Sequence, residues 1–97
     1  MIRAAVIGYG YWGPNIVRNF RLTEGMRVSM VCDRDRSVHK RIHREFPEVK
    51  ITDNWREAIR SPNIDVIAIV TPVSTHYQLA REALHNGKHV FVEKPFT

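Results

Sequence analysis

Three glycines near the start of the chain, Gly8, Gly10 and Gly13, lie between an apolar run and a stretch with helical spacing. The pattern Gly-x-Gly-x-x-Gly at a strand-to-helix junction is typical of loops that bind the pyrophosphate of a dinucleotide. The first glycine permits a tight turn, the second lets the phosphate approach, and the third lets helix and strand pack closely. The helix N-terminus adds free N–H groups and partial positive charge. The predicted cofactor-binding loop comprises Gly8, Tyr9, Gly10, Tyr11, Trp12 and Gly13.

An acidic residue follows at the spacing that such a loop requires. Asp33 comes twenty residues after Gly13, at the end of the second predicted strand. A carboxylate there accepts hydrogen bonds from the adenosine ribose hydroxyls and repels a 2′-phosphate, which favours NAD. Arg34 and Arg36 argue for the alternative, NADP, since a guanidinium can bind that phosphate.

Polar residues also follow the fourth predicted strand. Thr71 and Pro72 end that strand, and Thr75 and His76 begin the next helix, with Thr75 to Gln78 matching a capping box. Ligands of open parallel sheets bind outside the carboxyl ends of the strands. We therefore predict that Thr71, Pro72, Thr75 and His76 face the cofactor crevice.

The last predicted strand is followed by Glu93, Lys94 and Pro95. A lysine at this edge can hydrogen-bond a substrate hydroxyl or carbonyl and polarise it as a hydride moves. Lys94 is therefore the predicted catalytic residue, and Glu93 and Lys94 are predicted cofactor contacts.

Short apolar runs alternate with amphipathic stretches, which predicts elements that can position these residues. The predicted strands cover 2–7, 28–32, 49–51, 64–70 and 89–92. The predicted helices cover 12–20, 37–46 with Ser37 as N-cap, 54–60, and a segment from 75 that stops at Gly87. Five strands joined by four helices predict an α/β fold with a doubly wound parallel sheet of the Rossmann type, helices covering both faces.

Composition places limits on the class of protein. With 97 residues, 43% hydrophobic and 26% charged, the chain has the size and make-up of one ordinary globular domain over 1–97. It shows no signal peptide and no apolar run of membrane-spanning length, which predicts a cytoplasmic protein. The net charge of +5 is interpreted as a solvated helix face rather than a nucleic-acid surface. Cys32 is predicted to be a buried structural thiol, without metal-ligand spacing around it.

Together, the segments 5–13, 71–76 and 87–95 with Asp33 resemble the glucose–fructose oxidoreductase/inositol dehydrogenase/MocA (Gfo/Idh/MocA) family. The resemblance implies hydride transfer between a nicotinamide cofactor and the hydroxyl of a sugar or cyclitol. It also implies that Thr71, Pro72 and His76 line the nicotinamide half and that Lys94 contacts cofactor and substrate. Segment 11–15 is similar to members that act on nucleotide sugars.

Members of that family continue into a second α/β domain that supplies most of the substrate pocket, whereas this chain stops at Thr97 and lacks the sixth strand of a full Rossmann sheet. We therefore expect the isolated chain to bind cofactor and to be catalytically incomplete. The alternative is a stand-alone nucleotide-binding module with a regulatory or scaffolding role; a methyltransferase is disfavoured by the third glycine and the Glu-Lys-Pro ending. The strand 89–92 should form an exposed sheet edge, which predicts homo-oligomers.

Overall fold

The computed structural model describes residues 1–10, 13–71 and 73–92. Within these ranges the strands are β1 (Ile2–Ile7), β2 (Met26–Cys32), β3 (Lys50–Thr52), β4 (Val66–Ile69) and β5 (His89–Val92). The helices are α1 (Gly13–Leu22), α2 (Arg36–Glu45), α3 (Trp55–Arg60) and α4 (Val73–His85). Every element lies where the sequence predicts it, with ends shifted by at most two residues. In this part of the chain no helix is long and apolar enough to cross a membrane.

The strands form one parallel sheet in the order β3-β2-β1-β4-β5. The chain runs outward from β1 through β2 to β3, then crosses back to β4 and continues to β5. The strand order therefore reverses between β1 and β4, where Gly8 and Thr71 follow the carboxyl ends of adjacent strands. This topology confirms the predicted doubly wound Rossmann-type sheet, and the reversal point is where such sheets bind ligands.

Helices cover both faces of the sheet and create two apolar clusters. One cluster joins α3 and α4 to the sheet through residues such as Ile59 and Leu79. The other joins α1 and α2 to the opposite face through Val17 and Ile42. Because both faces are covered, the central parts of β1 and β4 are continuous apolar runs, Ala4–Ile7 and Val66–Ile69, rather than alternating patterns.

A bulge in β2 changes which residues face each cluster. Ala4 pairs with Val28, but Ala5 pairs with Met30, so that Ser29 is an extra residue without a partner in β1. The extra residue reverses the alternation of side chains along β2. Val28 and Val31 consequently pack in the same cluster although three positions separate them.

Helix α2 begins one residue earlier than predicted, because Asp35 and not Ser37 is its N-cap. Asp35 Oδ1 accepts hydrogen bonds from the backbone N–H of Ser37 at 2.9 Å and from its hydroxyl at 2.7 Å. These bonds lower the pKa of the Asp35 carboxyl. The prediction of Ser37 was wrong because Asp and Ser cap about equally well and the turn brings the Asp35 carboxylate into reach of the first helical N–H groups.

For α4, the predicted start is wrong and the predicted end is confirmed. The predicted capping box is wrong, since α4 begins at Val73 and Thr75 lies inside its first turn. The left-handed stop at Gly87 is confirmed by its φ of +73°. The N–H of Gly87 donates to the Leu84 carbonyl and that of Lys88 to the Ala83 carbonyl, which is the Schellman pattern.

Asp65 joins the start of β4 to β1, and its contribution should depend on pH. Its Oδ2 accepts the backbone N–H of Arg3 at 2.8 Å. This bond and the Arg3 guanidinium lower the pKa of the Asp65 carboxyl. A carboxyl with a depressed pKa stabilises the fold above its unfolded pKa of about 3.9 and loses that effect as the pH falls further.

We therefore expect Asp65→Asn to lower the free energy of unfolding at pH 7, and this deficit to be smaller at pH 3, where the pH is below the unfolded pKa. Urea denaturation at both pH values measures this. Asp53→Asn is the control, because the described contact of Asp53 is an exposed ion pair with Arg36 at 3.8 Å. An Asp65→Asn deficit of equal size at pH 3 and pH 7 would contradict the expectation.

Candidate functional site

Two of the three glycines stand where only glycine fits. Gly8 follows β1 with a φ of +95°, and a Cβ there would lie 3.0 Å from the carbonyl carbon and oxygen of Val70. A Cβ on Gly13 would lie 2.9 Å from the carbonyl oxygen of Gly8. The loop is thus packed against β4 on one side and against the first turn of α1 on the other. The closest neighbours of Gly13 belong to the loop itself rather than to the strand.

Gly10 has the opposite environment. Among the described residues no atom lies within 4 Å of a Cβ built on it, and its φ is not in the left-handed region. It lines the cleft at the carboxyl edge of the sheet. The described part of the fold therefore places no demand for glycine here, and the open space would let a phosphate approach the backbone.

Tyr9, between these glycines, has a side chain that is fully buried. Its ring packs edge-to-face on Phe46 at 6.4 Å, and the Arg41 guanidinium lies 5.0 Å from the ring centre. Burial and the nearby Glu45 carboxylate raise the pKa of Tyr9. Its backbone N–H donates to Asp33 Oδ2 at 2.9 Å. Any contact of Tyr9 with a cofactor must therefore come from its main chain.

Asp33 is held by elements on both sides. Its N–H donates to the Thr52 carbonyl at 3.0 Å, which extends the β2–β3 pairing. Its Oδ1 accepts the N–H of Asp35 at 2.8 Å, while Oδ2 accepts the N–H of Tyr9. Each carboxylate oxygen keeps lone-pair capacity for another donor. Asp33 is thus an oriented acceptor at the edge of the cleft.

The cleft has a volume of about 400 Å³ and runs across the point where the strand order reverses. It brings together six residues that the sequence predicted, which are Gly8, Gly10, Asp33, Arg34, Thr71 and Thr75. Gly8 and Gly10 of the loop and Asp33 all border it, while the N–H groups of Gly8 and Tyr9 are already bonded, to the Cys32 carbonyl and to Asp33. This arrangement suits a ligand that carries both phosphates and hydroxyls.

The family follows from a match over almost the whole sequence. A family model described as the oxidoreductase family with NAD-binding Rossmann fold, GFO_IDH_MocA, matches residues 2–97. The chain belongs to the Gfo/Idh/MocA family. The resemblance seen in the glycine loop, Asp33 and the later motifs is thereby confirmed, and with it an NAD-binding oxidoreductase domain.

Individual relatives agree with this assignment. The scyllo-inositol 2-dehydrogenase (NAD(+)) of Bacillus subtilis is 36% identical over 98 residues, which cover 99% of this chain and 28% of that protein. An oxidoreductase structure from Klebsiella pneumoniae superposes with a TM-score of 0.88 at 37% identity, over 100% of this chain and 27% of that one. The structure of biliverdin reductase from Synechocystis, solved with biliverdin and NADP+, superposes with a TM-score of 0.89 at 26% identity. The match covers 97% of this chain and 29% of that one. The chain thus spans less than a third of the length of these relatives.

In this Gfo/Idh/MocA chain, short polar contacts connect Thr71, which follows the carboxyl end of β4, to the first turn of α4. The hydroxyls of Thr71 and Thr75 are 2.6 Å apart, and both residues line the cleft. His76 Nε2 lies 2.6 Å from the Thr71 carbonyl oxygen, which fixes the ring against the turn. His76 is not among the residues that line the cleft. The predictions for Tyr11, Trp12, Pro72, Glu93 and Lys94 lie outside the described residues.

Six residues that line the cleft were not singled out as site residues from the sequence, and three of them, Ile7, Cys32 and Val70, belong to the strand ends themselves or follow directly. Trp55 begins α3 just beyond the carboxyl end of β3, while Gln78 and Leu79 lie on α4. Trp55 obeys the same strand-end rule as Asp33 and Thr71, so its position after the third predicted strand was a usable signal.

Cys32 also borders the cleft but is buried, as predicted. Burial, aided by the Asp33 carboxylate, raises the pKa of the Cys32 thiol to about 12. The thiol is therefore protonated at neutral pH, and a protonated thiol is a poor nucleophile. Its role in this site is packing.

Proposed function

We propose that the cleft between β1 and β4 binds NAD, with the pyrophosphate at Gly10 and Gly13 and the adenosine ribose on Asp33. The observation that carries this is the meeting of two features at one cleft. An unobstructed glycine backbone and an oriented carboxylate, 23 residues apart in sequence, border the same space. Bound there, the cofactor would supply hydride chemistry at its nicotinamide end. The side chains of Thr71 and Thr75 would lie toward that end.

The electrostatics of the ribose end favour NAD over NADP. The Asp33 carboxylate would repel a 2′-phosphate. Of the two arginines that argue for NADP, Arg36 is 86% exposed in its side chain and is not among the residues that line the cleft. Arg34 borders the cleft and also an adjoining cavity of about 380 Å³. Arg34 is therefore the residue on which any NADP binding would depend.

We further propose that the protein containing this domain is an NAD(P)-dependent oxidoreductase for a sugar, nucleotide-sugar or cyclitol hydroxyl. Lys94 would hydrogen-bond the reacting hydroxyl, and Glu93, Pro72 and His76 would complete the nicotinamide side. The likeness to an inositol dehydrogenase supports the cyclitol class. Residues 1–97 would constitute the dinucleotide-binding domain, able to bind cofactor alone without turning over substrate.

Asp33→Asn tests the binding mode. The change removes the negative charge and replaces one acceptor oxygen by an N–H₂ group, which cannot accept a hydrogen bond from a ribose hydroxyl or a backbone N–H. We therefore expect NAD binding to weaken by about 10- to 100-fold, as the loss of a charged hydrogen bond predicts. Calorimetry with NAD and NADP measures it. Asp35→Asn is the matched control, because asparagine also caps helices and Asp35 is not among the cleft-lining residues. Equal affinities of the Asp33→Asn variant and the wild type would contradict the proposed ribose contact.

The alternative function is a nucleotide-binding module with a regulatory or scaffolding role. Both functions require NAD binding, and they differ in catalysis. Oxidation of a panel of sugars, nucleotide sugars and cyclitols by the protein with NAD supports the oxidoreductase. Binding without turnover by any full-length form supports the module.

We also propose self-association through the edge of the sheet. In the described part of the chain β5 pairs only with β4, and Phe91 and Val92 are 40% and 39% exposed. Exposed apolar edges recruit further strands. Light scattering of residues 1–97 as a function of concentration should show a mass above that of one chain. A constant monomer mass at high concentration would contradict this.

A further inference from the structure

We propose that His39 is a positioning residue for the adenosine end of the cofactor, acting by fixing Asp33. This inference rests on the proposed NAD site. It concerns a side chain outside the glycine loop, the strand-end motifs and the residues that line the cleft.

The contact is short and specific. His39 is the fourth residue of α2, is half-buried, and places Nε2 2.6 Å from the carbonyl oxygen of Asp33. A carbonyl oxygen only accepts hydrogen bonds, so Nε2 must carry the proton. The ring thus links the body of α2 to the last residue before the β2–α2 turn.

The Asp33 carbonyl is the group that sets the course of the turn. The N–H of Asp33 makes the last bond to β3, through the Thr52 carbonyl, and beyond it the chain leaves the sheet. The peptide plane between Asp33 and Arg34 is therefore no longer held by a strand. The hydrogen bond from His39 supplies that restraint.

Fixing this plane orients the carboxylate as well. Asp33 Oδ1 accepts the N–H of Asp35, two residues further on, so its position depends on the path of the chain through Arg34. Oδ2 is held separately by the N–H of Tyr9. Without His39, the hydrogen bond from the Asp35 N–H to Oδ1 is no longer held in place, while the bond from the Tyr9 N–H to Oδ2 remains. The carboxylate then loses its single orientation toward the ribose hydroxyls.

The experiment compares NAD affinity by calorimetry in the purified protein. His39→Leu removes the donor, and we expect about 3- to 10-fold weaker NAD binding, the effect of one neutral hydrogen bond. In His39→Gln, the amide nitrogen reaches as far as Nε2, and we expect affinity within about 2-fold of the wild type. His39→Asn, which keeps polarity but is too short, should behave like leucine. His43→Leu on the exposed face of α2 is the matched control and should leave the affinity unchanged.

A double-mutant cycle separates positioning from a general structural role. In an Asp33→Asn background, His39→Leu should cause no further loss of affinity, because the carboxylate it orients is gone. A loss that persists in that background, or an unchanged affinity in His39→Leu, would overturn the inference. Failure of the unmodified protein to bind NAD would instead overturn the proposed function, and this inference with it.

Discussion

Replacing Gly10 by valine is expected to weaken NAD binding by about 100-fold or more and to leave the thermal unfolding midpoint nearly unchanged. No described atom lies within 4 Å of a Cβ at this position, and Gly10 borders the cleft, so we expect the added side chain to obstruct the approach of a phosphate to the loop. Losing two charge-assisted hydrogen bonds at about 1.5–3 kcal/mol each accounts for the size of the effect. Calorimetry with NAD and a thermal melt measure the two quantities separately.

Gly25→Ala is the reciprocal control for this variant. Gly25 has a φ of +82° and open space around it, and it lies before β2, at the end of the sheet opposite the cleft. An alanine there should cost about 1–2 kcal/mol of stability through its left-handed backbone and leave NAD affinity intact. Wild-type affinity in Gly10→Val would show that the phosphates do not lie on this loop.

Gly8→Ala is expected to have the largest effect on stability among the glycine positions. The φ of +95° costs an alanine about 1–2 kcal/mol. Its Cβ would also meet backbone atoms of Val70 at 3.0 Å, and forcing a group into a filled space costs about 1–3 kcal/mol. We therefore expect a loss of about 2–5 kcal/mol in urea denaturation, with weaker NAD binding because the loop must move away from β4.

Gly87→Ala measures the backbone part of that loss, so that the difference between the two variants gives the steric part. Gly87 has a similar backbone conformation, with a φ of +73°, but no described atom lies within 4 Å of the position that an alanine Cβ would take. It should lose only the backbone contribution, about 1–2 kcal/mol. If Gly8→Ala is no less stable than Gly87→Ala, the close approach between the loop and β4 does not constrain the fold.

Local sequence patterns predicted most of the fold. The tight turn at Gly8, the apolar runs and the stop at Gly87 depend on neighbouring residues and on backbone conformation, and each was recognised correctly. The errors were local as well. Two helix starts were misassigned, at Ser37 and Thr75, because several residues in each segment have side chains that can cap, and the sequence does not say which one the turn brings into reach.

The candidate site, too, was predicted from the sequence only in part. By itself the sequence determined the family, the sheet type and the expectation that Gly10 and Asp33 serve one ligand, since strand-end positions in a parallel sheet follow from chain order. Only the tertiary structure decided that Tyr9 points into the core, that its N–H holds Asp33 from 24 residues away, and that His39 contacts the carbonyl of the same residue. These features depend on how helices and strands distant in sequence pack against each other, which side-chain spacing along the chain does not encode.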